Sequence, residues 1–226
     1  MAKVSKPYKV RGTTLVSNTS EAMFCKYLDK HLQQSLSSQY SPRGEYSVSL
    51  VSEPDDEQWL VFKAKIDAII NTAYDEAMND EGDLKLGTSA KKKLNKAYPY
   101  KEYIEKEKDD KGKWTIEKET GKIVITPKMK NVLDRDEGRN YIKLIGDSGE
   151  VPVAKRPEIG NGSLIKVKMY VNPYYMATTG SIGVSLSLDA IKIINLVSFG
   201  GGAAGEDFDT DDFEAGETTT SEGEDY

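Results

Sequence analysis

The sequence predicts a mainly β fold with one long α-helix and a C-terminal tail outside the folded body. Three observations carry this prediction: alternating apolar and polar residues over 162–199, an apolar stripe at helical spacing that begins at Trp59, and an acidic segment poor in aliphatic residues after Gly200. Alternation with a period of two is typical of strands, and three- and four-residue spacing is typical of an amphipathic helix. We therefore expect a sheet covered by one helix, followed by a disordered tail.

The alternating segment separates its side chains into an apolar face and a cationic face. In its first half, aliphatic residues alternate with two lysines and a tyrosine: Ile165, Val167, Met169 and Val171 with Lys166, Lys168 and Tyr170. In its second half, small residues take the outer side: Gly183, Ser185 and Ser187 alternate with Ile182, Val184, Leu186 and Leu188. One face of each strand is predicted to pack in the core, and the lysine-bearing face suits a polyanion.

Two tyrosines follow the first of these strands. Pro173 cannot donate a hydrogen bond to a sheet, so we expect the strand to end there, with Tyr174 and Tyr175 displayed beside the lysines. Aromatic rings beside cations form a platform on which unpaired bases stack. A half-buried sheet with a solvated lysine face explains the alternation by itself equally well. The tyrosines favour the nucleic-acid interpretation.

One long helix is predicted from about Ser52 to about Met78. Ser52 with Asp55 three residues later, and Pro54 in the first turn, indicate its start. Six apolar residues then recur at helical spacing: Trp59, Phe62, Ile66, Ile69, Ile70 and Ala73. An uninterrupted stripe of this kind packs on a core, so we interpret its Trp and Phe as core residues rather than as a cofactor site.

Shorter elements are predicted on both sides of this helix. Asn18 with Glu21 indicates a short N-terminal helix through Leu28, with His31 on its surface. Alternation predicts strands over 46–50 and 141–145, the latter closed by a turn at 147–149, and a hairpin formed by residues 114–118 and 122–126.

A lysine- and tyrosine-rich stretch precedes the predicted hairpin. Residues 91–103 have the composition of a loop and interleave Tyr98, Tyr100 and Tyr103 with Lys91, Lys92, Lys93, Lys96 and Lys101. A run of lysines is usually a solvated face. Interleaved tyrosines add a second interpretation, in which the rings stack on bases while the ammonium groups meet phosphates.

The charge of the chain is segregated along its length. Ten of the 37 acidic residues and none of the 31 Lys and Arg residues lie in 206–226, which gives the tail a charge of about −10 and residues 1–205 a charge of about +4. A basic body with its own acidic competitor suits a protein that binds nucleic acid reversibly. Aromatic residues spaced through the acidic tail, namely Phe208, Phe213 and Tyr226, are typical of anchors for a partner protein.

Several classes of protein are excluded by what the sequence lacks. Single Cys and His residues, Cys25 and His31, leave no internal disulfide, no His/Cys zinc site and no Ser/His or Cys/His catalytic arrangement. No phosphate-binding Gly-x-x-x-x-Gly-Lys motif is present, and the acidic run from Asp207 fails the calcium-loop pattern at Asp212 and Thr218. We therefore expect no catalytic site, metal or cofactor. The absence of a signal peptide or an apolar run of membrane-spanning length indicates a reducing, cytosol-like compartment.

Several motifs, in this order, resemble the single-stranded-DNA-binding protein of short-tailed phages of the T-seven type. They are Ser41-Pro42-Arg43-Gly44 before Tyr46-x-Val48-x-Leu50, Lys166-Val167-Lys168 before Pro173-Tyr174, and Phe199-Gly200-Gly201-Gly202 before an acidic tail with a terminal aromatic. The resemblance extends over essentially the whole chain and is poorest over 84–138. The chain departs from the family pattern in its shorter tail and in ending with Tyr226 rather than Phe.

The resemblance implies an OB-fold, a five-stranded closed or partly open barrel, in residues 1–199, with a glycine hinge and partner-binding tail in 200–226. It implies sequence-non-specific binding and annealing of single strands during phage DNA replication and recombination, in the cytoplasm of the infected bacterial host. The family's DNA-binding positions correspond here to Lys3, Arg43, Lys166, Lys168 and Tyr174, to which the strand pattern adds Tyr170 and Tyr175.

The resemblance also implies roles for the tail. It docks on the phage DNA polymerase and primase-helicase and supports a homodimer, and the residues we expect to take part are Phe208, Phe213, Asp225 and Tyr226. Two other functions are consistent with the sequence. One is a replication or packaging adaptor whose acidic tail is the active part, and the other is a nucleic-acid enzyme with an unrecognised site.

Overall fold

A computed structural model describes residues 12–28, 44–81, 84–109, 111–130, 133–134, 138–139 and 142–198. Its α-helices are α1 (Glu57–Asn79) and α2 (Thr88–Lys91), and a 3-10 helix spans Val153–Lys155. Its strands are β1 (Thr13–Val16), β2 (Ser20–Lys26), β3 (Glu45–Ser52), β4 (Asn95–Ala97), β5 (Tyr100–Lys108), β6 (Trp114–Ile125), β7 (Lys128–Lys130), β8 (Leu133–Asp134), β9 (Gly138–Arg139), β10 (Lys143–Gly146), β11 (Gly149–Glu150), β12 (Ser163–Met176) and β13 (Ser181–Asn195).

The long strands close into a barrel. β12 pairs with β13 along one edge and with β1 and then β2 along the other. β2 pairs with β3, β3 with β7, and β7 with β13 in parallel, which returns the sheet to its start. With β1 and β2 taken as one bent strand, the circuit visits five chain-ordered strands as 1-2-3-5-4. The predicted mainly β, OB-type barrel is confirmed.

The barrel core consists of the inward residues of the alternating strands. Ile165, Val167, Met169 and Val171 are all 0% exposed. On β13, Ile182, Val184 and Leu188 are buried as the alternation predicted, with Leu188 opposite Met169, whereas Leu186 is half-buried. Helix α1 adds the stripe predicted from the sequence, and its buried residues are Trp59, Phe62, Ile66, Ile70 and Ala77. This packing fixes which face of each strand is left for function.

Helix α1 begins later than the sequence predicted. Its N-cap is Asp56, whose carboxylate accepts a hydrogen bond from the Trp59 backbone N–H at 2.7 Å. Ser52, the predicted cap, is instead the buried last residue of β3, where its hydroxyl accepts a hydrogen bond from the Asn18 side-chain amide and shares another with the Ser20 hydroxyl. The helix ends at Asn79, and the cap residue Asp80 adopts the left-handed conformation common at helix C-termini.

The predicted N-terminal helix is wrong, because residues 20–26 form strand β2. The Asn18 side chain donates to Ser52 Oγ at 2.9 Å instead of capping a helix, and β2 pairs with both β3 and β12. Two sheet edges here outweigh a local capping signal. His31 lies outside the described residues.

The middle of the chain contains more strand than predicted. Residues 91–103, predicted as a loop, supply the end of α2, all of β4 and the start of β5. The predicted hairpin within 114–126 is wrong, because β6 runs through residues 119–121 and pairs with β5. The register shifts over residues 120–122, where Gly121 has φ of 71°, so a signal interpreted as a turn marks an irregularity within one strand. β10 and the turn to β11 agree with prediction.

Candidate nucleic-acid interface

The outer side of β12 carries the cationic residues singled out from the sequence. From Ser163 to Val171 buried residues alternate with more exposed ones, so Lys166, Lys168 and Tyr170 point away from the barrel core. The structure therefore places these three side chains together on one surface. Their part in binding stays a prediction.

Strand register adds two lysines that sequence reasoning missed. Lys192 of β13 lies directly opposite Lys166, and Ala190 lies opposite Lys168. On the other side of β13, Lys143 of β10 lies beside Ala190. Residues opposite one another share a face of the sheet, with Cβ atoms about 5 Å apart when directly paired. We call Lys143, Lys166, Lys168 and Lys192 the lysine face.

The lysine face is only partly neutralised by the protein's own acids. Lys168 Nζ lies 3.1 Å from Asp189, which occupies a bulge in β13, and hydrogen bonding to this carboxylate raises the pKa of Lys168. Among the described residues, no acid forms an ion pair with Lys143, Lys166 or Lys192. Like charges directly opposite on neighbouring strands destabilise a sheet. A polyanion bound at this face would compensate for the repulsion.

Only one of the two tyrosines that follow the lysines lies where the sequence placed it. The predicted strand end at Pro173 is wrong, because β12 continues to Met176. Pro173 is tolerated because it lies beyond the last β1 partner, Thr13 opposite Val171, so one edge of β12 has no further pairing in the described residues. Alternation then puts Tyr174 on the side of Lys166 and Tyr170, and Tyr175 on the opposite side. The structure brings Tyr174 to the lysine face and separates Tyr175 from it.

Tyr174 lies across a glycine of the neighbouring strand. Gly183 is its directly paired partner on β13. A Cβ placed on Gly183 would lie 2.8 Å from Tyr174 Oη and 2.8 Å from the Ala97 carbonyl oxygen. The absence of a side chain at Gly183 therefore leaves room for the Tyr174 ring, while Tyr174 stays 38% exposed. A positioned, partly exposed ring is the arrangement that base stacking requires.

Gly183→Val is expected to destabilise the fold by about 1 to 3 kcal/mol, because the Ala97 carbonyl is backbone and cannot move aside without distorting β4. It should also displace the Tyr174 ring. Urea unfolding measures the first effect and near-ultraviolet circular dichroism the second. Gly87→Ala is the matched control, since a Cβ there meets nothing within 4 Å. Equal stability of the Gly183→Val protein and the wild type would contradict this packing.

Several predicted residues lie outside the described ranges. These are Lys3 and Arg43 of the predicted DNA site and the tail residues Phe208, Phe213, Asp225 and Tyr226. Within the described ranges, no three His, Cys, Asp or Glu side chains are grouped so that they could hold a metal ion. None of the helices in that part of the chain is long and apolar enough to cross a membrane.

Comparisons with known proteins bear on the fold and on the family. A family model described as the single-stranded DNA-binding protein of bacteriophage T7 matches residues 23–196. The single-stranded DNA-binding protein of Enterobacteria phage T3 is 36% identical over 86 residues, which are 38% of this chain and 36% of that protein, so the match spans about a third of the curated relative. The crystal structure of gp2.5, a single-stranded DNA binding protein encoded by bacteriophage T7, superposes with a TM-score of 0.57 at 21% identity, covering 93% of this chain and 100% of that one.

Proposed function

The chain belongs to the family of the bacteriophage T7 single-stranded DNA-binding protein, and we propose that it binds single-stranded DNA without sequence preference and without catalysing a reaction. The observation that carries the proposal is the cross-strand pair Lys166 and Lys192, two like charges held opposite each other with no acid to neutralise them among the described residues. Such a pair costs stability unless a polyanion binds it. Single-stranded DNA, which gives this family its name, is such a polyanion because of its phosphate backbone.

The division of roles follows from the geometry of the face. Lysines on adjacent strands meet backbone phosphates and release condensed counterions, which supplies affinity that does not depend on sequence. The Tyr174 ring, supported by Gly183, stacks on a base. Stacking needs an unpaired base, so this residue favours single strands over duplex. The protein thereby protects single strands during phage replication and recombination, within the cytoplasm of the infected host cell.

Strand annealing is compatible with this mode of binding. Lysines contact phosphates and Tyr174 contacts the flat side of a base, so neither occupies the edges that form base pairs. A complementary strand therefore has access to the bound strand. The homodimer that we propose through the acidic tail would bring two such strands together.

A fluorescence titration tests the binding proposal. Single-stranded oligonucleotide is expected to quench the tyrosine and tryptophan emission at a lower concentration than duplex of the same sequence, because only unpaired bases stack. Incubation of labelled strands with magnesium, followed by a denaturing gel, checks that the strands stay intact. Equal affinity for the duplex, or cleavage of the strands, would contradict the proposal.

The acidic tail is proposed to regulate binding and to recruit the phage DNA polymerase and primase-helicase. A segment of about −10 charge tethered to a body of about +4 competes with DNA for the lysine face at an effective concentration of roughly millimolar order. When DNA displaces the tail, the acidic groups and aromatic rings at Phe208, Phe213 and Tyr226 become available to a basic surface on the partner.

Deletion of residues 206–226 is expected to raise affinity for single strands at low salt, with a difference that shrinks as salt screens the competition. The same deletion should abolish capture of the polymerase. A variant with the ten tail acids replaced by Asn or Gln controls for tail length. Unchanged DNA affinity after deletion would refute the competition, and retained polymerase capture would refute the docking role.

A further inference from the structure

A second surface on the barrel has the features of a nucleotide site. It is a shallow pocket of about 390 Å³ where the turn between β4 and β5 meets β6 and β7. Its lining combines aromatic, cationic and small groups: Tyr98, Pro99, Tyr100, Lys101, Val124, Thr126 and Lys128. The pocket belongs to the lysine- and tyrosine-rich stretch that the sequence left open between a solvated face and a stacking site.

The two tyrosines of the pocket have different tasks. The Tyr100 hydroxyl donates to Asp67 at 2.8 Å, and its ring meets Trp59 edge-on with centroids 5.8 Å apart, so Tyr100 is anchored to helix α1. Tyr98 is 45% exposed, and its ring centroid lies 5.3 Å from that of Tyr100. A fixed ring thus supports an exposed one, and the free side of Tyr98 is available for stacking.

The two lysines of the pocket differ in whether an acidic side chain pairs with them. Lys128 Nζ forms an ion pair with Glu45 at 2.8 Å. Lys101 is exposed and forms no ion pair with any acid in the described residues. Of the two, Lys101 therefore has its charge free for a phosphate next to a base stacked on Tyr98.

The pocket is continuous with the outer side of β12, which also carries Lys166 and Lys168 of the lysine face. Lys128 pairs with Ser187 of β13, and Ser187 pairs with Tyr170 of β12, so the three residues form a row on the outer side of the barrel. Neighbouring strands lie about 4.8 Å apart, which puts the pocket edge about 10 Å from Tyr170. A second row leads from Ala97, next to Tyr98, through Gly183 to Tyr174. The β13 residues of these rows are Gly183 and Ser187, so no bulky side chain of β13 stands between the two surfaces.

We propose that the Tyr98 and Lys101 pocket binds an unpaired nucleotide of the same DNA strand that occupies the lysine face, with the base on Tyr98 and its phosphate at Lys101. This inference rests on the proposed function and extends its site from strands β12 and β13 onto β5, β6 and β7. The occupant is a nucleotide rather than a peptide because the pocket joins an exposed ring and a free cation to a surface already suited to phosphates.

The test compares oligothymidylates of about 6 and about 16 nucleotides, which bracket the site sizes of OB-folds. Tyr98→Ala and Lys101→Ala are each expected to weaken binding of the long oligonucleotide roughly fivefold or more and to leave the short one, held by the lysine face, unchanged. Tyr98→Trp should keep full affinity. Lys106→Ala is the matched control, since Lys106 lies on the same strand outside the pocket.

A second measurement on the wild type does not depend on the variants folding. Photo-crosslinking with an oligonucleotide carrying 5-iodouracil, followed by mass spectrometry, should identify Tyr98. Equal loss for both lengths, no loss for either, or crosslinks confined to β12 and β13 would overturn the pocket proposal alone. Failure of the wild type to bind either oligonucleotide would overturn the proposed function and this inference together.

Discussion

Lys192→Glu is expected to weaken single-stranded-DNA binding on the order of 100-fold while leaving the fold at least as stable as the wild type. The new carboxylate would lie directly opposite Lys166 and would replace a repulsive pair by an attractive one. The substitution therefore removes the phosphate contact of residue 192 itself and, because the new carboxylate pairs with Lys166, that of Lys166 as well. Loss of two charge-assisted phosphate contacts amounts to about 3 kcal/mol, or about 100-fold in affinity.

The combination of a stable fold with weak binding distinguishes a ligand surface from an ordinary solvated face. Lys111→Glu makes the same change in net charge at the exposed turn between β5 and β6, away from the lysine face, and serves as the control. Thermal unfolding and anisotropy titration with the same preparations give the two quantities. Equal DNA affinity of the Lys192→Glu and Lys111→Glu proteins would show that only the overall charge matters.

Tyr174→Ala is expected to weaken single-strand binding by about 1 to 3 kcal/mol, because a base loses the ring on which it stacks. Tyr174→Phe and Tyr174→Trp should retain most of the affinity, since stacking depends on the aromatic ring and not on the hydroxyl. Quenching of emission by oligonucleotide measures each variant.

Tyr175→Ala is the matched control for Tyr174, because Tyr175 is the next residue of β12 and points to the other side of the sheet. It should bind DNA nearly as tightly as the wild type. A variant series in which Phe binds as weakly as Ala would assign the hydroxyl a hydrogen-bonding role and would contradict the stacking account.

Local pattern was sufficient to predict part of the site. The alternation around Lys166 and Lys168 defines inward and outward faces within one strand, and the structure places those lysines and Tyr170 on the outer face. The helix stripe at Trp59 and Phe62 was predicted for the same reason. Both signals are properties of neighbouring residues.

What the sequence did not predict depends on contacts between distant segments. Lys143 and Lys192 join the lysine face through strand register, which no local pattern specifies. Pro173 was expected to end a strand. It lies inside β12 because β1 stops pairing before it, and no local pattern shows where that pairing stops. Residues 20–26 became a strand because two sheet edges were available to them. In each case tertiary pairing overrode a local signal.

The salt dependence of single-strand binding, measured side by side for the wild type and Lys192→Glu, tests the lysine face most directly. Three to four phosphates neutralised by the four lysines predict a slope of about −2 to −3 for log K against log salt in the wild type. The variant, with two contacts fewer, should have a slope shallower by about 1.4. A wild-type slope near zero, or identical slopes for the two proteins, would contradict the assignment of this face to DNA.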